Sequence, residues 1–254
     1  MALFTLDAYE PLNCLKPFAE RAWIVDGPVI EMTYPWAPFI RLPFQTRMTV
    51  VQLANGEVWL HSPTAFSPQL AEELEAIGPV RYLIAPNKLH FWWLADWQAA
   101  FPEARTYASP QVAEYGQGKR EFRVDVTLSD VPPRVWDGEI DQTQVAGSFM
   151  TETIFFHLAS KTLILTDLIE NFEPAKVPGR FPKMVLRASG AMDPDGSLPF
   201  DLRASFKQDT EWMQRVVEEM IAWAPERIIM AHGRPYTENA VGELKRAFRW
   251  VGKF

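Results

Sequence analysis

Two stretches of this chain read alike, and their likeness limits the folds open to it. Residues 79–86 (PVRYLIAP) and 225–232 (PERIIMAH) each start at a proline, run through a buried-type strand and end in a polar loop. Each is preceded by a hairpin and a helix. In the first half, 47–53 (RMTVVQL) is β-branched and apolar, Asn55-Gly56 supplies the positive φ angles of a tight turn, and 57–61 (EVWLH) returns. Ser67-Pro68 then reads as an N-cap and first helical residue, with Leu70, Leu74 and Ile77 on one face. In the second half, 153–158 (TIFFHL), a turn at Ala159-Ser160-Lys161 and 162–167 (TLILTD) form the hairpin. A helix starting near Asp209 or Thr210 follows, carrying Met213, Val216, Val217, Met220 and Ile221 as one stripe. A last helix starts near Thr237, with Val241, Leu244 and Phe248 facing inward. Two such halves, packed sheet against sheet with helices outside, give a four-layer α/β/β/α sandwich, because each sheet buries one face on its partner and the other under helices.

The bulk properties agree with one domain spanning 1–254. Hydrophobic residues make up 48% of the 254, enough for a sizeable core. The net charge is −7 with no Lys/Arg cluster, which excludes a nucleic-acid-binding surface. The lone Cys14 cannot form an internal disulfide and reads as inert. Residues 1–20 show no basic start followed by an apolar run, and no stretch approaches the roughly 18 apolar residues of a membrane span. The cytoplasm is therefore the default location, no membrane partner is expected, and the oligomeric state stays open.

One segment breaks the repeat. Residues 168–206 hold five prolines, at 174, 178, 182, 194 and 199, and three glycines, at 179, 190 and 196. A connection this long inside a compact domain reads as a lid or insertion. With Arg180, Lys183, Arg187 and Arg203 it is either a solvated loop or a cover meeting an anionic group, with Arg187 as the substrate contact.

Three of the four histidines, His61, His90 and His232, fall where a strand gives way to a loop, and so does Asp167. Rigid strands aim such side chains while loops leave them accessible. Nitrogen and carboxylate donors suit zinc or iron. The fourth, His157, lies inside a strand run and reads as structural. Asn87 and Asn171 read as turn residues that can point into a pocket.

Residues 56–63 (GEVWLHSP), the stretch 86–102 with its His90, 160–167 (SKTLILTD) and 228–233 (IIMAHG) together resemble the motif order of the metallo-β-lactamase superfamily. Within it, they resemble a family of uncharacterised bacterial proteins classed as a domain of unknown function. The resemblance implies the same four-layer sandwich. It aligns Asp167 with the bridging acid and His232 with the final histidine. The first-motif acid falls on His61 or Ser62. The HxHxDH motif falls on Pro86, Lys88, His90 and Phe91, and the next histidine falls near 149–151 (FMT), where there is none. A two-metal hydrolase needs about five histidines and two acids, which four histidines cannot supply. What survives is one site from His90, Asp167 and His232, with His61 or Asn87 beside it.

Three function classes follow. The first is a mononuclear metal-dependent hydrolase of an ester, lactone or phosphoester, holding one zinc or iron ion, with His61 or Asp167 moving the proton and Asn87, Asn171 and Arg187 meeting the substrate. The second is a non-catalytic small-molecule-binding protein that kept the cleft and holds no metal. The third is a metal-free enzyme using His90 and Asp167 as an acid–base pair.

Overall fold

A computed structural model describes residues 2–34, 37–116, 121–206 and 209–254. Its strands form two sheets. The larger runs β1 (Lys16–Ala19), β2 (Ala22–Tyr34), β3 (Ala37–Gln52), β4 (Val58–His61), β5 (Val80–Ala85), β6 (Arg105–Ala108) and β7 (Val126–Thr127), in that spatial order. Pairing is antiparallel from β1 to β4 and parallel from β4 to β7. The smaller sheet has β8 (Ile140–Ala146), β9 (Thr151–His157), β10 (Thr162–Ile164) and β11 (Arg227–Ile229) in the order β11-β10-β9-β8, with β10 and β11 parallel.

Side-chain alternation builds the four layers. In β4 and β5, Trp59, Tyr82 and Ile84 face the smaller sheet, where they meet Phe155 of β9 and Ile164 of β10. Their neighbours Val58, Leu60 and Leu83 face the other way, onto Leu70 and Leu74 of α1 (Pro68–Ile77) and Leu94 and Trp97 of α2 (Leu94–Ala100). In the smaller sheet, Ile154, Phe156 and Leu163 face Met213, Val217 and Met220 of α6 (Thr210–Ala222) and Leu244 of α7 (Ala240–Ala247). The short helix α3 (Val112–Gly116) follows β6. The expected sandwich is thus the observed one.

The local signals translate closely. Gly56 takes φ +87° in the β3–β4 turn, and Val51 pairs with Trp59. Ser67 caps α1 by accepting from the Leu70 amide at 3.2 Å, and Asp209 caps α6 by accepting from the Trp212 amide. The last helix starts at Ala240, three residues beyond Thr237.

The segment 168–206 is not irregular throughout. It contains a 3₁₀ turn at Pro174–Lys176, the ten-residue α4 (Arg180–Ser189) and α5 (Phe200–Phe206). Its prolines and glycines mark helix ends: Gly179 and Pro182 start α4, Gly190 closes it in the left-handed conformation at φ +83°, and Pro199 directly precedes α5. Among the described residues no helix is long and apolar enough to cross a membrane.

Candidate metal centre

Parallel pairing of β10 with β11 sets the site. Ile164 is opposite Ile229, so Asp167 and His232, each three residues beyond its strand end, emerge at the same height. His232 Nε2 lies 3.0 Å from Asp167 Oδ1. His90, five residues beyond β5 of the other sheet, brings its Nε2 to 3.4 Å from the same carboxylate. One donor atom from each of the three lies within 4.8 Å of the others.

The His232 tautomer follows from its outer contact, and the ring of His90 is oriented by its own. His232 Nδ1 is 2.6 Å from the Gln45 carbonyl, which only accepts, so Nδ1 carries a proton. A neutral His232 then turns the Nε2 lone pair toward the lone pairs of Asp167, and that contact is attractive only with a cation between them, a proton or a metal ion. His90 Nδ1 is held by Ser62 Oγ at 2.7 Å, which likewise leaves Nε2 to the carboxylate. Ring nitrogens fixed from behind by a carbonyl or hydroxyl are how metal-binding histidines are usually oriented. The donor set therefore fits one ion with three protein ligands and an open position. Among the described residues no second group of three donors completes another site.

Asp167 is buried, which pushes its carboxyl up, yet the charges and hydrogen bonds of His90 and His232 outweigh burial and hold it well below the usual carboxylate range. Asn87 donates from Nδ2 to Asp167 Oδ2 at 2.6 Å and to Thr166 Oγ1 at 2.9 Å, while its Oδ1 accepts from the Leu89 amide. Fully buried, Asn87 sits behind Asp167 and orients it; it does not line the cavity. Gly233 takes φ +90°, and a Cβ there would fall 2.1 Å from the Asn171 carbonyl oxygen, so the turn after His232 needs glycine.

Three candidates lie elsewhere. His61 is the last residue of β4 and, with Trp59, alternates toward the inter-sheet core: its ring stacks on Trp59 at 5.5 Å and meets the edge of Phe155. Burial first, and then the charge of His90, holds its pKa well below 6.5, and it does not line the cavity. The next residue, Ser62, is the one that touches the site. Arg187 is exposed on the outer side of α4 beside Arg180 and Lys183. Asn171 is buried and spent on structure, donating to Asp193 Oδ1 and to the Arg234 carbonyl. Lys88 rests its ammonium over the rings of Phe149 and Tyr115, and His157 pairs its Nδ1 with Ser160 Oγ at 2.7 Å.

Sequence reasoning overlooked three buried charged residues. Glu152 accepts from the Thr166 and Asp167 amides at 2.8 and 3.0 Å, and burial together with the nearby Asp167 charge pushes its carboxyl up to about 7. Glu170 lines the cavity; its side chain makes no hydrogen bond or ion pair among the described residues, and burial and Asp167 push its carboxyl well above the usual range. Arg47 of β3 reaches across to donate to the carbonyls of Met230 and Gly233, on either side of His232. The available signal was an acid or arginine inside an apolar run, at 149–156 (FMTETIFF) and 47–53 (RMTVVQL).

His90, Asp167 and His232 open onto a cavity of about 260 Å³ whose other walls come from the β2–β3 hairpin, α4 and α5. The family model described as Domain of unknown function (DUF4336) matches residues 39–192. No curated protein matches the chain. Solved structures with similar folds include a metallo-beta-lactamase from Hirschia baltica, at 12% identity with 98% of this chain and 99% of that one covered and a TM-score of 0.57. The metallo-beta-lactamase FIM-1 from Pseudomonas aeruginosa in its mono-zinc form is 11% identical, with 97% of each chain covered and a TM-score of 0.59. A metal-soaked Flv1 flavodiiron core from Synechocystis sp. PCC6803 gives 11% identity, 97% and 61% coverage and a TM-score of 0.62. These likenesses establish the metallo-β-lactamase fold.

Proposed function

For a chain that belongs to the family described as Domain of unknown function (DUF4336), we propose a mononuclear metal-dependent hydrolase acting on a carboxylic ester or lactone. The observation that carries this reading is the His232 geometry: Nδ1 committed to the Gln45 carbonyl and Nε2 aimed at Asp167, with His90 converging on the same carboxylate. The fold neighbour described in a mono-zinc form fits one ion per chain.

His90, Asp167 and His232 would hold a zinc or iron ion, which when bound supplies Lewis acidity, activating water and polarising a carbonyl. Asp167, kept anionic, serves as ligand. Asn87 and Ser62 fix the direction of the donor groups. Glu170 lies outside the three-residue donor cluster yet faces the cavity, and its raised pKa suits it to give a proton to the departing alkoxide. Water adds to the acyl carbon, the bond to the alkoxy oxygen breaks, and acid and alcohol leave.

Titrating metal-free protein with zinc by calorimetry tests this. One tight site is expected, abolished by Asp167→Ala and by His232→Ala and kept by His157→Ala. With one ion bound, Glu170→Gln is expected to slow ester turnover by roughly 10²-fold or more, the scale of general acid catalysis, with zinc stoichiometry unchanged. No zinc binding, or two comparable sites, would overturn the ligand assignment.

A further inference from the structure

The cavity walls say more about the substrate than the donor cluster does. Met32, Ile40, Leu42 and Phe44 of the β2–β3 hairpin, with Leu186 of α4 and Phe200 of α5, present an apolar surface. The polar side chains among them are few, and outside the donor cluster the only ionisable carboxyl or amine groups among the described lining residues are acids. Beyond His90, Asp167 and His232 they include Glu170 and Asp201, the latter accepting from the Tyr34 hydroxyl at 2.9 Å. No lysine or arginine is among the described residues lining the space. The cations of α4, Arg180, Lys183 and Arg187, face the other way, on the outer surface. An anionic group brought into the cavity would lie beside Asp167 and Asp201, with only a single metal ion to offset them, and desolvating an unpaired charge is costly.

We propose that the site takes an uncharged ester or lactone whose acyl part is a medium-length apolar chain seated between the hairpin, α4 and α5, and that Asp167 and Asp201 turn away phosphoesters and carboxylate-bearing substrates. This rests on the hydrolase reading above and narrows it. At roughly 30 Å³ per water-sized group, 260 Å³ holds about nine such groups, which corresponds to an acyl chain of about eight carbons.

The test has a binding arm and a turnover arm. Methyl ketones from butan-2-one to decan-2-one, inert analogues of the esters, are titrated into metal-free protein beside octanoate and octyl phosphate. Affinity should rise about four-fold per methylene until the chain fills the cavity, and the two anions should bind at least roughly 100-fold more weakly than octan-2-one, a difference one unpaired buried charge readily supplies. Val185→Trp, and separately Ile40→Trp, should remove the gain from longer chains and spare butan-2-one, because both side chains line the cavity. In the zinc-loaded protein, methyl octanoate should be hydrolysed faster than methyl butanoate, with p-nitrophenyl phosphate unreactive. Anions binding as tightly as the ketones, or an affinity flat in chain length, would overturn the inference. Turnover confined to the phosphoester would overturn it together with the ester or lactone assignment, while leaving a metal-dependent hydrolase standing. Chain-length-dependent ketone binding without turnover of any ester would sink the hydrolase reading and leave the apolar selectivity of the cavity standing.

Discussion

Arg47→Met should be among the most damaging single changes outside the donor cluster. The Arg47 side chain is 2% exposed. Its Nε donates to Asp26 Oδ1 at 2.9 Å, and Nη1 donates to the carbonyls of Met230 and Gly233 at 2.8 and 2.6 Å. Methionine matches much of the volume and none of the donors. The two carbonyls lose a partner in a dry interior, at about 1–3 kcal/mol each. Asp26 keeps Lys16 at 2.8 Å and so is not stranded. The expected loss is therefore about 3–5 kcal/mol, the range for breaking a buried ion pair from one side. That is a large part of the 5–15 kcal/mol typical of a domain. Urea unfolding of the metal-free protein measures it. Zinc calorimetry adds a local readout, because both carbonyls flank His232: affinity should fall about 10–100-fold, as for loss of groups that orient ligands. Arg47→Lys keeps the charge but cannot span both carbonyls and Asp26, and should fall between wild type and Arg47→Met. A cost below about 1 kcal/mol for Arg47→Met, given how many bonds it removes, would refute the view that this arginine ties the two sheets together behind the site.

Two further outcomes are expected. Burial, and then the charge of Arg21, lowers the pKa of His157 to about 4. The unfolded chain thus takes up this proton first, and stability drains away as pH falls from about 6.5 toward 4, at up to about 1.4 kcal/mol per unit. Urea midpoints at pH 7 and pH 5 should show a loss of about 2 kcal/mol from this group that disappears in His157→Gln; an unchanged slope in the variant would assign the acid sensitivity elsewhere. At Glu152, substitution by Gln keeps one acceptor but turns an NH2 donor toward the other of the two amides, and should cost about 1–2 kcal/mol. Glu152→Ala should cost about 3 kcal/mol by stranding the Thr166 and Asp167 amides, and equal losses for the two variants would show that cavity size, not hydrogen bonding, sets the penalty.

The layers were legible because they are written in alternation and in punctuation. Trp59 and Leu60 point to opposite faces of one sheet as period two demands, and Asn55-Gly56 and Ser67-Pro68 fix a turn and a helix start by local chemistry alone. The segment 168–206 was harder because proline and glycine mean either a loop or the boundaries of short helices, and only tertiary packing decides: Leu186 of α4 buries against Phe172, Val177 and Met192. The same limit applied to His61. A histidine at a strand end reads as accessible, yet the parity of β4 places it with Trp59 on the inward face, while Ser62, at φ +52°, leaves the strand and reaches His90. Parity was available from the sequence once Trp59 was assigned inward; the turn at Ser62 was not. Glu152 and Glu170 escaped because an acid inside an apolar run acquires meaning only when its neighbours are known.

The internal repeat carries through to the chemistry. In each half, two adjacent parallel strands deliver a polar pair: Ser62 after β4 with His90 beyond β5, and Asp167 after β10 with His232 beyond β11. The first pair contains no acid, and Ser62 only orients its histidine. The second supplies a carboxylate, and both histidines turn Nε2 to it. A second ion in the first half would require at position 62 what position 167 provides, a carboxylate facing a histidine. Serine there, with Pro86 and Phe91 unable to ligate, leaves the first half contributing His90 alone to a candidate centre whose other two donors come from the second.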